Sequence, residues 1–258
     1  MADFRSNLTG DFYFFSFDFG EILHLFLHQL YHLNLHHHFQ INFALLVSYF
    51  DRCRALIYAY FFDEISEFIA KRKPIIGICN GFQVLVKTGI LPGNENGVLS
   101  SDAYKNRKAT LTHNEKGHFE CRDVVLKAID SRSIWTAGIK MPIICPIAHG
   151  EGRFLPRSQE ELDKLIANKQ IALKYALIKA DSEKMGDIQN ANGCYPYNPN
   201  GSAEDIAGIS DATGLVLGLM PHTENNIVQR EVDPLERQEA TKACLAIWKN
   251  GVQYAKNM

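Results

Sequence analysis

The segment PIIGICNGFQVLV, residues 74–86, constrains the fold of this 258-residue chain more than any other. Apolar residues from Pro74 to Ile78 read as a short buried strand, and within a few residues the pattern changes to helical periodicity, from about Gly81 to Lys87. Gly89 and Pro92-Gly93 supply the helix stop. Cys79 lies at the junction with Gly77 two residues before it and Gly81 two residues after. Small neighbours at that spacing permit a tight, strained turn that presents the intervening side chain at the carboxyl edge of a sheet, the arrangement of a nucleophile elbow. The helix N-terminus beyond Cys79 adds partial positive charge that favours thiolate over thiol. The backbone N–H of Asn80 is placed to donate to an oxyanion. The competing use of such a position is a small buried residue at a strand end.

Further elements alternate in type. Helices are predicted over Asp63–Lys71, where Ile65, Phe68 and Ile69 form one apolar face, over Ser158–Asn168 and over Leu235–Val252. Strands are predicted over Ala109–Leu111, Phe119–Leu126, Pro142–Ile147, Gln170–Tyr175 and Gly214–Leu219. This alternation predicts an α/β sandwich with a mainly parallel central sheet, and assigns the pieces between 95 and 155 to extra antiparallel strands.

The first 62 residues differ in composition from the rest. They hold twelve of the sixteen Phe and six of the ten His, so the chain divides into an atypical Phe/His-rich segment, 1–62, and a body, 63–258, with ordinary enzyme composition. A divergent domain start, a fused extension and translation in a shifted frame all fit the first segment. His24, His28 and His32 stand at i, i+4 spacing ahead of His36, His37 and His38, but no carboxylate or cysteine completes a ligand set, so no metal site is predicted. A net charge of −2 gives no bulk attraction to nucleic acid or an anionic membrane. Six scattered cysteines form no CxxC pair, so neither a disulfide framework nor a zinc site is suggested, and a reducing cytoplasm fits best. The apolar run Ile41–Phe50 is too short to span a bilayer, and the start lacks the pattern of a secretory signal.

A cysteine nucleophile needs an imidazole within reach and a polar group to fix that imidazole's tautomer. Two His-x-Glu pairs are available: His222-Thr223-Glu224, directly after the apolar strand and Pro221, and His149-Gly150-Glu151, in a loop. A strand end is the more rigid mount and faces the same sheet edge as the elbow, whereas Gly150 and Gly152 suit close backbone approach to a ligand. His222 is therefore assigned as base with Glu224 as orienter, and the second pair stays open as the alternative.

The blocks GICNGFQVLVKTGILPG, LTHNEKGHFECRDV, PIAHGEGRF, NPNGSAEDIAGISDATG and VLGLMPHTEN, in this order, resemble the glutaminase subunits of phosphoribosylformylglycinamidine synthase. These are class I glutamine amidotransferases of purine biosynthesis with a flavodoxin-like sandwich. The resemblance spans about residues 63–258. It implies Cys79 as nucleophile, His222 and Glu224 as the rest of a triad, and Asn80, Gly81, Gln83, Thr112, His113, Asn114, His149, Gly150 and Glu151 as residues shaping the glutamine site. It further implies a chain without its own cofactor. Ammonia would pass to a synthase subunit that carries ATP and Mg, in a complex that can include a small bridging subunit.

In one respect the sequence departs from that family. The glycine-rich loop of the type PGGFSYGDD, which supplies a second oxyanion donor, is absent, and no glycine occurs between Gly20 and Gly77. Loss of one such donor typically costs on the order of 3 kcal/mol in the transition state. Two alternatives to an active glutaminase follow: an impaired remnant that only binds the synthase, and another enzyme on the same scaffold.

Overall fold

The computed structural model describes residues 62–94, 97, 100, 103–178, 188–228 and 235–258. The histidine-rich stripe, the predicted boundary near residue 62 and the place of the glycine-rich loop all lie outside the described residues or at their edge. Among the described residues, no helix is long and apolar enough to cross a membrane.

The chain starts with helix α1 (Phe62–Ala70), strand β1 (Ile75–Ile78) and helix α2 (Asn80–Lys87). Next come β2 (Ala109–Thr112), β3 (Glu120–Ala128), β4 (Ile143–His149), β5 (Arg153–Pro156) and helix α3 (Gln159–Ala167). Strands β6 (Ile171–Ile178), β7 (Ile188–Asn190), β8 (Ile206–Ser210) and β9 (Val216–Leu219) precede the last helix, α4 (Leu235–Lys256). Local sequence accounts for several ends. Ser158 caps α3 by accepting from the Glu161 N–H at 3.3 Å, and Glu160 and Glu161 put negative charge in its first turn. All four residues of β1 are buried, as the uninterrupted apolar run requires.

The main sheet runs β1-β9-β8-β6-β3-β4, with β7 also on β6, while β2 and β5 form a separate antiparallel ribbon. The α/β class and the antiparallel additions are as the sequence predicts, but their balance is not. Only β1 and β9 pair in parallel among the described strands; β9–β8, β8–β6, β6–β3 and β3–β4 are antiparallel. The connections explain this difference. A parallel neighbour needs a crossover of a dozen or more residues, usually a helix. The link from β8 to β9 is instead a tight turn, in which the Asp211 carboxylate accepts from the N–H groups of Thr213, Leu215 and Val216. Strands β5, β7 and β8 were not predicted, being three to five residues long or embedded in loop-like text.

Laid flat, six strands would separate β1 from β4 by about 24 Å. The sheet instead curls until its two end strands meet: the Cys79 thiol, just past β1, donates to the Ala148 carbonyl of β4 at 3.9 Å. Register shifts between β6 and β8 at Ile171, Leu173 and Lys174 add the local twist this needs. Where β8 pairs with β9, a Cβ on Gly208 would stand 2.8 Å from the Gly218 carbonyl oxygen, so no larger residue fits there. Inside the curl Phe82 of α2 stacks on Phe154 of β5 at 6.1 Å between ring centroids. On the other side Trp135 is buried under α4 and donates its indole N–H to the Leu215 carbonyl at 2.8 Å.

Candidate active site

The site is the seam where the curled sheet closes. Cys79 sits between β1 and α2 at φ 52°, ψ −107°, a left-handed backbone that costs energy for any residue with a Cβ. Gly77 makes that turn possible: a Cβ there would lie 2.8 Å from the Gly81 carbonyl carbon and 2.5 Å from Leu85 Cδ1. The elbow read from the glycine spacing is therefore present, and the thiol is buried at its apex.

His222 follows β9, the parallel neighbour of β1, and leads into a 3-10 turn over Thr223–Asn226. Its backbone N–H donates to the Pro146 carbonyl of β4 at 2.8 Å, and the Asn226 side chain donates to the Ile144 carbonyl at 2.6 Å. The turn is thus pinned to the outer edge of β4, where Pro146, lacking an N–H, needs no partner. Glu224 Oε1 lies 2.6 Å from His222 Nδ1, which fixes the proton on Nδ1 and turns Nε2 toward Cys79. Burial works to lower the imidazole pKa. Hydrogen bonding to Cys79 and to Glu224, with the charge they carry, outweighs it and raises the pKa to about 10.

The second His-x-Glu pair is built differently. His149 Nδ1 is 3.1 Å from Asn114 Oδ1, which also accepts from the Gly152 N–H at 3.0 Å. Asn114 Nδ2 donates to the carbonyls of His118 and His149, so the amide orientation is determined and His149 carries its proton on Nδ1. Burial, then repulsion from His222, pushes the His149 pKa down to about 4. This imidazole is neutral at pH 7. Glu151 does not orient it; its carboxylate stands 3.7 Å from the exposed His113 ring. The Glu151 carbonyl accepts from the buried Gln83 side chain at 2.6 Å, which ties the loop to α2 one turn beyond Cys79.

Of the residues expected to shape the substrate site, Gln83, Asn114, His149, Gly150 and Glu151 form one hydrogen-bonded cluster, since the Gly150 carbonyl accepts from the Asn114 N–H at 2.9 Å. Asn80 and Gly81 open α2. Thr112 arrives through its pairing with Arg153, and His113 is exposed at the rim.

Sequence reasoning missed the support beneath this cluster. Asn200, fully buried, donates to the Gly152 carbonyl and to the Tyr175 hydroxyl, both at 2.9 Å, and accepts from the Ser202 hydroxyl at 2.7 Å. Buried Asp205 accepts from the N–H groups of Asn192 and Gly193 and from Asn198. The text NPNGSAED reads as exposed loop. The one available signal was its density of short amide and hydroxyl side chains, each able to replace water for a buried backbone group.

A thiol on a strained elbow, an imidazole beside it and a carboxylate behind define an α/β protein equipped for thiol-dependent acyl transfer. The chain belongs to the CobB/CobQ-like glutamine amidotransferase domain family, whose profile matches residues 53–255. Among its relatives, subunit PurQ of phosphoribosylformylglycinamidine synthase from Treponema denticola is 59% identical over 198 residues, covering 76% of this chain and 72% of that protein. The PurQ subunit of Methanococcus maripaludis is 40% identical over 205 residues, covering 75% and 70%. Among solved structures, PurLQS from Thermotoga maritima aligns at 28% identity with a TM-score of 0.47, covering 77% of this chain and 68% of that one.

Proposed function

We propose that this chain is the glutaminase subunit of a phosphoribosylformylglycinamidine synthase, releasing ammonia from glutamine for an ATP-dependent synthase subunit. What carries the reading is the Cys79 thiol on its elbow beside the Glu224-paired imidazole of His222, in a chain 59% identical to a PurQ subunit. The Cys79 thiolate attacks the side-chain amide carbon of glutamine, and the oxyanion is met by the Asn80 N–H at the start of α2. Because its pKa is held near 10, His222 is an imidazolium at neutral pH and has a proton to give the departing nitrogen. Ammonia leaves and a thioester remains. The now neutral His222 takes a proton from water, the hydroxide attacks the thioester carbon, glutamate departs, and the thiolate–imidazolium pair is restored.

Glutamine lies against Asn80, Gly81, Gln83 and the 149–151 loop, with Thr112, His113 and Asn114 on the facing ribbon. No cofactor is assigned to this chain; ATP and Mg belong to the synthase subunit, and a small bridging subunit and a cytoplasmic location complete the proposal. Ammonia release from glutamine, with and without a synthase subunit and beside Cys79→Ala, tests it. Cys79-dependent release is the expected result, and release that survives Cys79→Ala would overturn it. A folded chain that binds the synthase without turnover would leave an interaction subunit in place of an enzyme.

A further inference from the structure

At the end of α2 away from Cys79, the chain leaves the helix through Gly89 to Gly93 and forms one wall of a cleft of about 280 Å³. The other walls come from the segment leading into β2, with Asn106, Arg107 and Lys108, and from Arg157 just past β5. Among the described residues, three cations line this concavity and no carboxylate does, in a chain whose formal net charge is −2. The clustering is therefore local and not a consequence of bulk composition.

The three cations are held at different tensions. Lys108 Nζ donates to the Gly93 carbonyl at 2.9 Å and so ties two walls together, and the Arg157 N–H donates to the Lys108 carbonyl at 2.8 Å. The Arg157 guanidinium has only a loose approach to Glu161, at 3.7 Å. Arg107 has no hydrogen bond or ion pair among the described residues, so the whole donor fork is free. Like charges gathered around a concave surface repel one another, and a bound anion removes that cost. A guanidinium fork matches a phosphate oxygen pair in a bidentate way, and a lysine ammonium beside it adds a point charge. Concavity favours a compact ligand over a flat polyanion.

We propose that this cleft binds a phosphate group, carried by a small phosphate ester or as inorganic phosphate, with Arg107 as the principal contact and Lys108 and Arg157 as flanking charges. An eight-residue helix is about 12 Å long, so the site is separate from the thiol and does not depend on the glutaminase reading. Calorimetric titration of the full chain at low ionic strength, with inorganic phosphate in one arm and ribose 5-phosphate in the other, tests it. Saturable binding is expected, weakened at least tenfold in Arg107→Ala and less in Arg107→Lys, while Cys79-dependent glutamine turnover at saturation is unchanged. Tighter binding of the ester assigns the site to a phosphorylated metabolite, and equal binding assigns it to free phosphate. The lysine variant keeps the test open should the alanine variant fail to fold. Absence of saturable binding in the wild-type chain, or equal binding in wild type and Arg107→Ala, overturns the proposal.

Discussion

Replacing Glu224 with Gln removes one negative charge and leaves the shape of the site almost unchanged. The carboxylate stands 2.6 Å from His222 Nδ1, and it shares with Cys79 the work of raising that imidazole from 6.5 to about 10. A shift of that size corresponds to about 5 kcal/mol of net preference for the protonated ring at roughly 1.4 kcal/mol per unit, supplied by Cys79 and Glu224 together against the cost of burial. In Glu224→Gln the His222 pKa should therefore drop by about 1–2 units. The stability consequence has a definite direction. A raised histidine pKa stabilises the folded state fully below 6.5, and that contribution is lost as pH rises through 10. The variant should be about 2 kcal/mol less stable at pH 6 by urea unfolding, with the deficit closing as pH approaches 10. Turnover should fall by about 10²–10⁴, because an amide fixes the imidazole less well and can favour the wrong tautomer. The direct assay is the NMR titration of His222. An unchanged midpoint, or a stability deficit that does not vary with pH, would refute the reasoning.

The other three perturbations concern the cluster beside the thiol. His149→Gln should flatten the acid side of the stability profile: a histidine lowered from 6.5 to about 4 costs nothing above 6.5, and up to about 3 kcal/mol is lost as pH falls through 4. Urea unfolding of wild type and variant at pH 7 and pH 4 measures this, and a parallel loss in both would count against it. Gly152→Ala places a methyl 2.3 Å from His149 Cε1, and the ring must leave its bond to Asn114, so a loss of about 1–3 kcal/mol and a shifted His149 resonance are expected. Asn200→Ala removes the amide donor that the Gly152 carbonyl and the Tyr175 hydroxyl share, leaving the carbonyl only the longer Ser202 hydroxyl contact, which should cost about 2–4 kcal/mol in the same unfolding assay; a cost under 0.5 kcal/mol would show that water or Ser202 replaces the amide.

What the sequence made legible follows from how local each determinant is. The elbow rests on interactions within a dozen residues, so Gly77, Cys79 and Gly81 announced it, and α1, α2 and α3 each end within two residues of their predicted bounds. Strand pairing is decided between distant segments, and residue type alone did not reveal that β6 and β8 run antiparallel with shifted register. Spacing also left two His-x-Glu pairs nearly equivalent. The difference between them arises from neighbours remote in the chain: Asn114 takes the inner nitrogen of His149, while Pro146 holds the backbone of His222. Asn198, Asn200 and Asp205 went unnoticed because a polar residue reads as exposed until its partners are known.

Strands from the two extreme ends of the sheet path meet at Cys79 and Ala148, 69 residues apart in the chain, and His222 completes the contact from farther still. The imidazole hangs on β9, the last of the described strands in chain order, so no N-terminal fragment that stops short of it holds both groups. On the proposed triad, a chain still emerging from the ribosome, or one ending between β4 and β9, holds a thiol without its imidazole and should leave glutamine intact. Glutamine hydrolysis through the proposed triad would thus report that β1, β4 and β9 are all in place, and Cys79-dependent ammonia release during refolding should appear last, after helix content and fluorescence have already recovered.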